Sequence, residues 1–124
     1  MTKKERMHII KKTEFLSRKS GESMKLRLIG ADQVDRFIRQ GNCVLVDLRR
    51  PSDFDKKHLL GAKNIPYNRL EDFIPILPKN CPILLYCDRG SASLLAGKQL
   101  SQLGMEVISV IGGISAYRGK YLVK

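Results

Sequence analysis

One stretch of the chain gathers the residue types that do covalent chemistry. The apolar run Ile83-Leu84-Leu85-Tyr86 leads directly into Cys87-Asp88-Arg89-Gly90-Ser91-Ala92-Ser93. A thiol at the end of a buried strand and ahead of a helix stands where open α/β sheets bind ligands, beyond the carboxyl ends of the strands. A short polar loop there turns successive backbone N–H groups toward one point, and the next helix adds the positive end of its dipole. Gly90 permits the backbone angle such a curl needs. The loop is therefore expected to hold an anion, and a thiol at its focus to favour the thiolate, which is the nucleophile. Arg89 strengthens that field if it folds over the loop, whereas Asp88 sets a negative charge beside the thiol. Ser91 and Ser93 either donate to the held anion or cap the helix; capping alone accounts for Ser93. The competing reading of Cys87 is a buried, inert thiol at a strand end.

The other two cysteines differ in kind. Cys43 and Cys81 each stand at the entry to a strand, at the opposite edge from Cys87, and read as small packing residues. An odd cysteine count with no C-x-x-C pair argues against a disulfide framework and for a reducing, cytoplasmic setting. Two isolated histidines leave no metal-ligand pattern, so no metal site is expected.

The elements that must position Cys87 are legible as alternating strands and helices. Leu26–Ile29 reads as a strand. Gly30 is a candidate helix N-cap, and Val34, Phe37 and Ile38 recur at helical spacing to about Gln40. Cys43–Leu48 and Pro82–Tyr86 are compact apolar runs bounded by turn signals, as buried parallel strands are. Pro51 suits the first turn of a short helix. Gly61–Pro66 reads as a brief strand and turn. Leu70–Ile74 is at most a short helix, because Pro75 and Pro78 resist its continuation. Ser93–Leu103 reads as a helix with Gly104 as its capping glycine, Glu106–Ile111 as a further strand, Gly112-Gly113 as a turn, and Ile114–Tyr117 as a last short helix. Strands alternating with helices across short loops predict an α/β fold with a mainly parallel sheet.

Two further polar positions lie near strand ends. Asp47 and Arg49 fall at the carboxyl end of the Cys43–Leu48 strand and read first as a pair that holds the strand end and the next turn. His58 could act as a general base, but a hydrogen-bonded packing role is the simpler reading.

Four segments, in order, match a known pattern. Asp47-Leu48-Arg49 with the following Pro51-Ser52-Asp53-Phe54 resembles the Asp-x-Arg strand end and short helix of the rhodanese family. His58-Leu59-Leu60-Gly61-Ala62-Lys63-Asn64-Ile65-Pro66 resembles its His-x-x-Gly-Ala-x-Asn-Ile-Pro box. Cys87 to Ser93 resembles its active-site loop, and Gly112-Gly113-Ile114-Ser115-Ala116-Tyr117 its closing Gly-Gly-x-x-Ala-Trp box, with Tyr in the Trp position. The resemblance runs from about Met24 to the C-terminus. It implies a single domain with a five-stranded, mainly parallel sheet flanked by helices. It also implies sulfurtransferase chemistry through a Cys87 persulfide, loaded by thiosulfate or by a low-molecular-weight or protein persulfide. The sulfur then passes to a thiol or cyanide-like acceptor, with no metal or organic cofactor. Asp88, Arg89, Gly90, Ser91, Ala92 and Ser93 would form the anion-binding loop, with Asp47, Arg49 and His58 supporting it. The related phosphatases carry a loop one residue longer, closed by Arg; here the sixth position is Ala92, so a phosphate clamp is missing. Many active sulfurtransferases also carry Arg at that position. With Asp88 adjacent, this favours a neutral or protein-bound persulfide over thiosulfate as donor.

Composition bounds the alternatives. The chain has 124 residues, enough for one core, and no Trp, so the core must be mainly aliphatic, from Ile, Leu and Val. No apolar run approaches the roughly 20 residues of a membrane helix, and no apolar segment follows the basic N-terminus as in a secretory signal. Of the net charge of +11, +6 falls on residues 1–27. Residues 1–23 read as a basic arm without a clean helical period and 24–124 as the domain, with Met24 a second candidate start. A basic arm can attract nucleic acid, but no aromatic platform accompanies it, and a solvated tail is the plainer reading. The remaining alternative to an enzyme is a catalytically weak rhodanese-like module that docks a partner or regulates it.

Overall fold

The computed structural model describes residues 25–124. The predicted basic arm, 1–23, lies outside the described residues. The chain runs β1 (Leu26–Gly30), a 3-10 turn (Ala31–Gln33) into α1 (Val34–Gln40), β2 (Val44–Asp47), α2 (Pro51–Lys56), β3 (His58–Leu59), β4 (Lys63–Asn64), α3 (Leu70–Phe73), β5 (Ile83–Tyr86), α4 (Ser91–Gln102), β6 (Val107–Ile111) and β7 (Leu122–Val123). Five strands form one sheet in the order β1-β6-β5-β2-β4, and every pairing in it is parallel. Parallel neighbours need crossovers, and α1 to α4 supply them. The strand that ends at Cys87, β5, is therefore the central one.

Alternation along each strand divides the core between the two sheet faces. Val46, Ile83, Leu85, Cys87 and Val107 pack with Leu70, Ala96 and Leu100 on one face. Leu45, Leu84, Tyr86, Ile108 and Val110 pack with Val34, Phe37, Ile114 and Tyr117 on the other. All four residues of β5 are fully buried, as expected for a central strand covered on both sides. Tyr117 is part of that second face. Its hydroxyl donates a short hydrogen bond to the Asp35 carboxylate and accepts the Tyr121 N–H at 2.9 Å. Burial and the Asp35 bond push the Tyr117 phenol up to about 12.

Several boundaries differ from the sequence reading. Helix α4 starts at Ser91, two residues earlier than expected, because Gly90 takes φ 107° and completes the loop by itself. The segment after α3 does not stop at Pro75 but continues as a 3-10 turn, Ile74–Ile76, with the proline in its first turn, where no N–H is required. The last short helix is a single 3-10 turn, Ile114–Ala116. The antiparallel pair β3–β7, His58 with Val123 and Leu59 with Leu122, was not legible; two-residue strands carry no period. No helix among the described residues is long and apolar enough to cross a membrane.

Candidate active site

The Cys87 thiol lies at the carboxyl end of β5, buried at the base of the loop that opens α4. Its Sγ accepts two backbone hydrogen bonds, from the Gly90 N–H at 3.1 Å and the Ser93 N–H at 3.4 Å. Both donors come from the chain's turn into the helix, so the α4 dipole points the same way.

The loop is shorter than the sequence suggested. Asp88, Arg89 and Gly90 form it, whereas Ser91, Ala92 and Ser93 are the first turn of α4. The expected capping role of Ser93 is corrected too. The N-cap is Gly90, with no side-chain cap, and the Ser93 hydroxyl turns back to donate to the Gly90 carbonyl at 3.1 Å. Ser93 serves the sulfur through its main chain instead. Ala92 packs against the core face that holds Cys87, and Ser91 is exposed. Arg89 is exposed and lines an open cleft of about 210 Å³ with Leu28, Gly90, Leu94, Ser109 and Ile111. The Asp88 carboxylate accepts a hydrogen bond from the Ser115 hydroxyl at 3.4 Å.

A second loop braces the first. The Ile114 N–H donates to the Cys87 carbonyl and the Ser115 N–H to the Asp88 carbonyl, both at 3.0 Å. This close approach depends on Gly113, at φ 60° and ψ −158°. A Cβ there would lie 2.5 Å from the Cys87 carbonyl oxygen and 2.6 Å from the Asp88 carbonyl. A Cβ on Gly90 would in turn meet the Gly112 nitrogen at 3.0 Å. The Gly112-Gly113 turn thus carries the thiol loop, a role its composition alone did not reveal.

Asp47 and Arg49 do not reach the thiol loop; they tie the neighbouring strand end. Arg49 Nη2 and Asp47 Oδ2 are 2.8 Å apart, with side chains 8% and 0% exposed. The Arg49 N–H also bonds Asp47 Oδ1 at 2.9 Å, and Nη2 reaches the Lys57 carbonyl at 2.6 Å. Burial works against the Arg49 charge, but the Asp47 hydrogen bond and charge outweigh it and hold the guanidinium above its ordinary value. Asn64 Nδ2 ties the same turn through the Asp47 and Arg49 carbonyls at 3.0 and 2.9 Å. Tyr86 completes the network. Its hydroxyl accepts the Leu59 N–H at 3.0 Å, and burial first, then the Asp47 charge, raises its phenol far above the usual range. Asn64 and Tyr86 were not singled out as site residues from sequence: Asn64 was legible only as the Asn of its box, and Tyr86 lies in a segment that reads as plain strand.

His58 is engaged elsewhere. Its Nδ1 lies 2.8 Å from the Phe54 carbonyl, which can only accept, so that nitrogen carries the proton. Its ring stacks on Phe54 with centroids 3.7 Å apart. Cys43 and Cys81 are half-buried free thiols at the amino ends of β2 and β5. Burial first, then the neighbouring Cys81, pushes the Cys43 thiol up. Among the described residues no cluster of three or more His, Cys, Asp or Glu could hold a metal ion.

A model of the rhodanese-like domain family matches residues 30–120. The thiosulfate sulfurtransferase GlpE of Tolumonas auensis is 30% identical over 94 residues, covering 75% of this chain and 89% of that protein. The Pseudomonas aeruginosa enzyme of the same name is 31% identical over 94 residues, 75% of this chain and 84% of the enzyme. An uncharacterized Bacillus subtilis protein, YqhL, is 33% identical over 81 residues, and the match spans 64% of its length. Among solved structures, a rhodanese-related protein of Thermoplasma volcanium superposes with a TM-score of 0.72 at 28% identity, covering 78% of this chain and 97% of that one. With the family model matched from residue 30 to residue 120, a span that includes the central strand, the thiol loop and the glycine turn, the chain belongs to the rhodanese-like domain family.

Proposed function

We propose that this chain is a sulfurtransferase or sulfur carrier that moves sulfane sulfur through a Cys87 persulfide. The observation that carries the reading is the Cys87 Sγ at the focus of the Gly90 and Ser93 N–H groups, at the mouth of α4. The Cys87 thiolate attacks the outer sulfur of the donor. One S–S bond forms as another breaks, and the donor leaves as sulfite (from thiosulfate) or as a thiolate (from a persulfide). A thiol or cyanide-like nucleophile then attacks the outer sulfur of Cys87–S–S⁻ and restores the thiolate. Two half-reactions sharing one covalent intermediate give ping-pong kinetics. On this reading the N–H groups that bond Sγ also stabilise the persulfide anion.

The donor follows from charge at the mouth. Asp88 is exposed, and no arginine occupies the Ala92 position to offset it. A dianionic donor pays that repulsion, whereas a neutral or protein-held persulfide pays little. Thiosulfate is accordingly the poorer donor and a persulfide the better one. Such a cycle needs free thiols, so the reading places residues 24–124 at work in the cytoplasm, without a metal or organic cofactor.

Intact mass after incubation with thiosulfate, and separately with a low-molecular-weight persulfide, tests this. The expected result is a reductant-labile gain of about 32 Da, one sulfur atom, on the wild type with the persulfide and none on Cys87→Ser. Failure of both donors to load Cys87 would overturn the sulfurtransferase reading in favour of a rhodanese-like binding module.

A further inference from the structure

Strand β6 is apolar and buried through Val107, Ile108 and Val110, yet it carries a hydroxyl, Ser109, only 2% exposed. Burying a hydroxyl without a partner is costly, so its partner shows what the position serves. That partner is Ser93: the two Oγ atoms are 2.9 Å apart. The direction of this bond follows from the next one. Ser93 Oγ lies 3.1 Å from the Gly90 carbonyl, which can only accept, so the single Ser93 proton is spent there. Ser109 therefore donates and Ser93 accepts. The chain of bonds ends on the two residues, Gly90 and Ser93, whose N–H groups meet the Cys87 sulfur.

We propose that Ser109 is a positioning residue for the Cys87 thiolate, acting through the Ser93 hydroxyl to hold Gly90 and the first turn of α4 with their N–H groups on Sγ. The proposal deepens the Cys87 reading given above. By donating to Ser93, Ser109 fixes the hydroxyl rotor of Ser93 and polarises its bond to Gly90, as hydrogen bonds in series do at low dielectric. Gly90 is the residue that needs this hold. At φ 107° it has no side chain to lock its backbone, and glycine surrenders the most freedom on being ordered. Ser109 also lines the cleft beside Arg89 and Gly90. It reaches Ser93, and through it the thiol loop, from the strand beside β5, twenty-two positions beyond Cys87 in the sequence.

The test compares Ser109→Ala, Ser93→Ala and the double variant by the alkylation rate of Cys87 with iodoacetamide, read at that residue by peptide mass so that Cys43 and Cys81 do not intrude. Rates are measured at pH 7 and at pH 10, where a free thiol, titrating near 8.5, is ionised without help. Ser109→Ala should slow alkylation about threefold at pH 7, the order of one modest hydrogen bond, and leave it unchanged at pH 10. In the Ser93→Ala background the same substitution should add nothing, and Ser109→Thr, which keeps the hydroxyl, should restore the pH 7 rate. A change in melting temperature with an unchanged pH 7 rate would overturn the proposal. So would equal slowing at both pH values, or a further loss in the Ser93→Ala background. Alkylation requires no sulfur transfer. An intact alkylation pattern in a protein that never loads sulfur would therefore sink the sulfurtransferase reading and leave this one standing.

Discussion

Replacing Gly113 with Ala tests whether the glycine turn braces the thiol loop. The substitution has two costs that the structure separates. The first is conformational: at φ 60° and ψ −158° Gly113 occupies a region nearly closed to residues with a Cβ, at about 1–3 kcal/mol. The second is steric: the new methyl would sit 2.5 Å from the Cys87 carbonyl oxygen and 2.6 Å from Asp88 main-chain atoms. Neither neighbour is a side chain that can rotate aside, so the Cys87 loop itself must move. It would then strain the bonds from Ile114 and Ser115, each worth about 1 kcal/mol. The sum is about 3–5 kcal/mol, or roughly 10–25 °C in melting temperature for a domain of this size. Gly41→Ala is the control. Gly41 is also at positive φ, 66°, but nothing lies within 4 Å of its missing Cβ, so only a conformational cost of about 1–2 kcal/mol applies. Urea unfolding of both variants measures the difference, and persulfide loading reports the loop. Gly113→Ala should be the less stable by about 2 kcal/mol and should load poorly, whereas Gly41→Ala should load as the wild type does. Equal destabilisation of the two variants, with loading intact in both, would refute the bracing argument.

Three further outcomes are expected. Arg49→Met leaves the fully buried Asp47 carboxylate without its ion partner and should cost about 3–5 kcal/mol in chemical denaturation. His58→Phe keeps the stacking surface on Phe54 and should leave persulfide loading within about twofold, because the His58 Nδ1 proton is held by a main-chain carbonyl; a larger loss would show that His58 moves a proton. Stability should fall as the pH rises from 10 to 12. The Tyr117 phenol, at about 12 in the fold against a reference of 10.0, keeps its proton there while the unfolded chain releases its own. That contribution is fully present below pH 10 and gone above 12, and Tyr117→Phe should lessen the slope that denaturation at stepped pH records, leaving the part that the buried Tyr86 phenol contributes.

Local patterns carried much of this molecule. Mostly apolar runs bounded by turn residues mark Cys43–Leu48, Pro82–Tyr86 and Glu106–Ile111 as buried strands, and the observed strands, Val44–Asp47, Ile83–Tyr86 and Val107–Ile111, lie within them, since strands covered on both faces read as near-continuous apolar runs. The thiol's place after such a strand and before a helix follows from the same pattern. Tertiary structure decided everything that depends on which strands are neighbours. The order β1-β6-β5-β2-β4 sets Ser109 beside Ser93. It also lets Tyr86 join the Asp47–Arg49 pair and carries the Gly112-Gly113 turn against the Cys87 carbonyl. Periodicity reports only which face a residue occupies, so such encounters are invisible to it. The start of α4 shows the same limit at short range. Ser93 has the side chain of a cap, but Gly90, free of a Cβ, completes the turn first, and the released hydroxyl becomes the link between β6 and the sulfur.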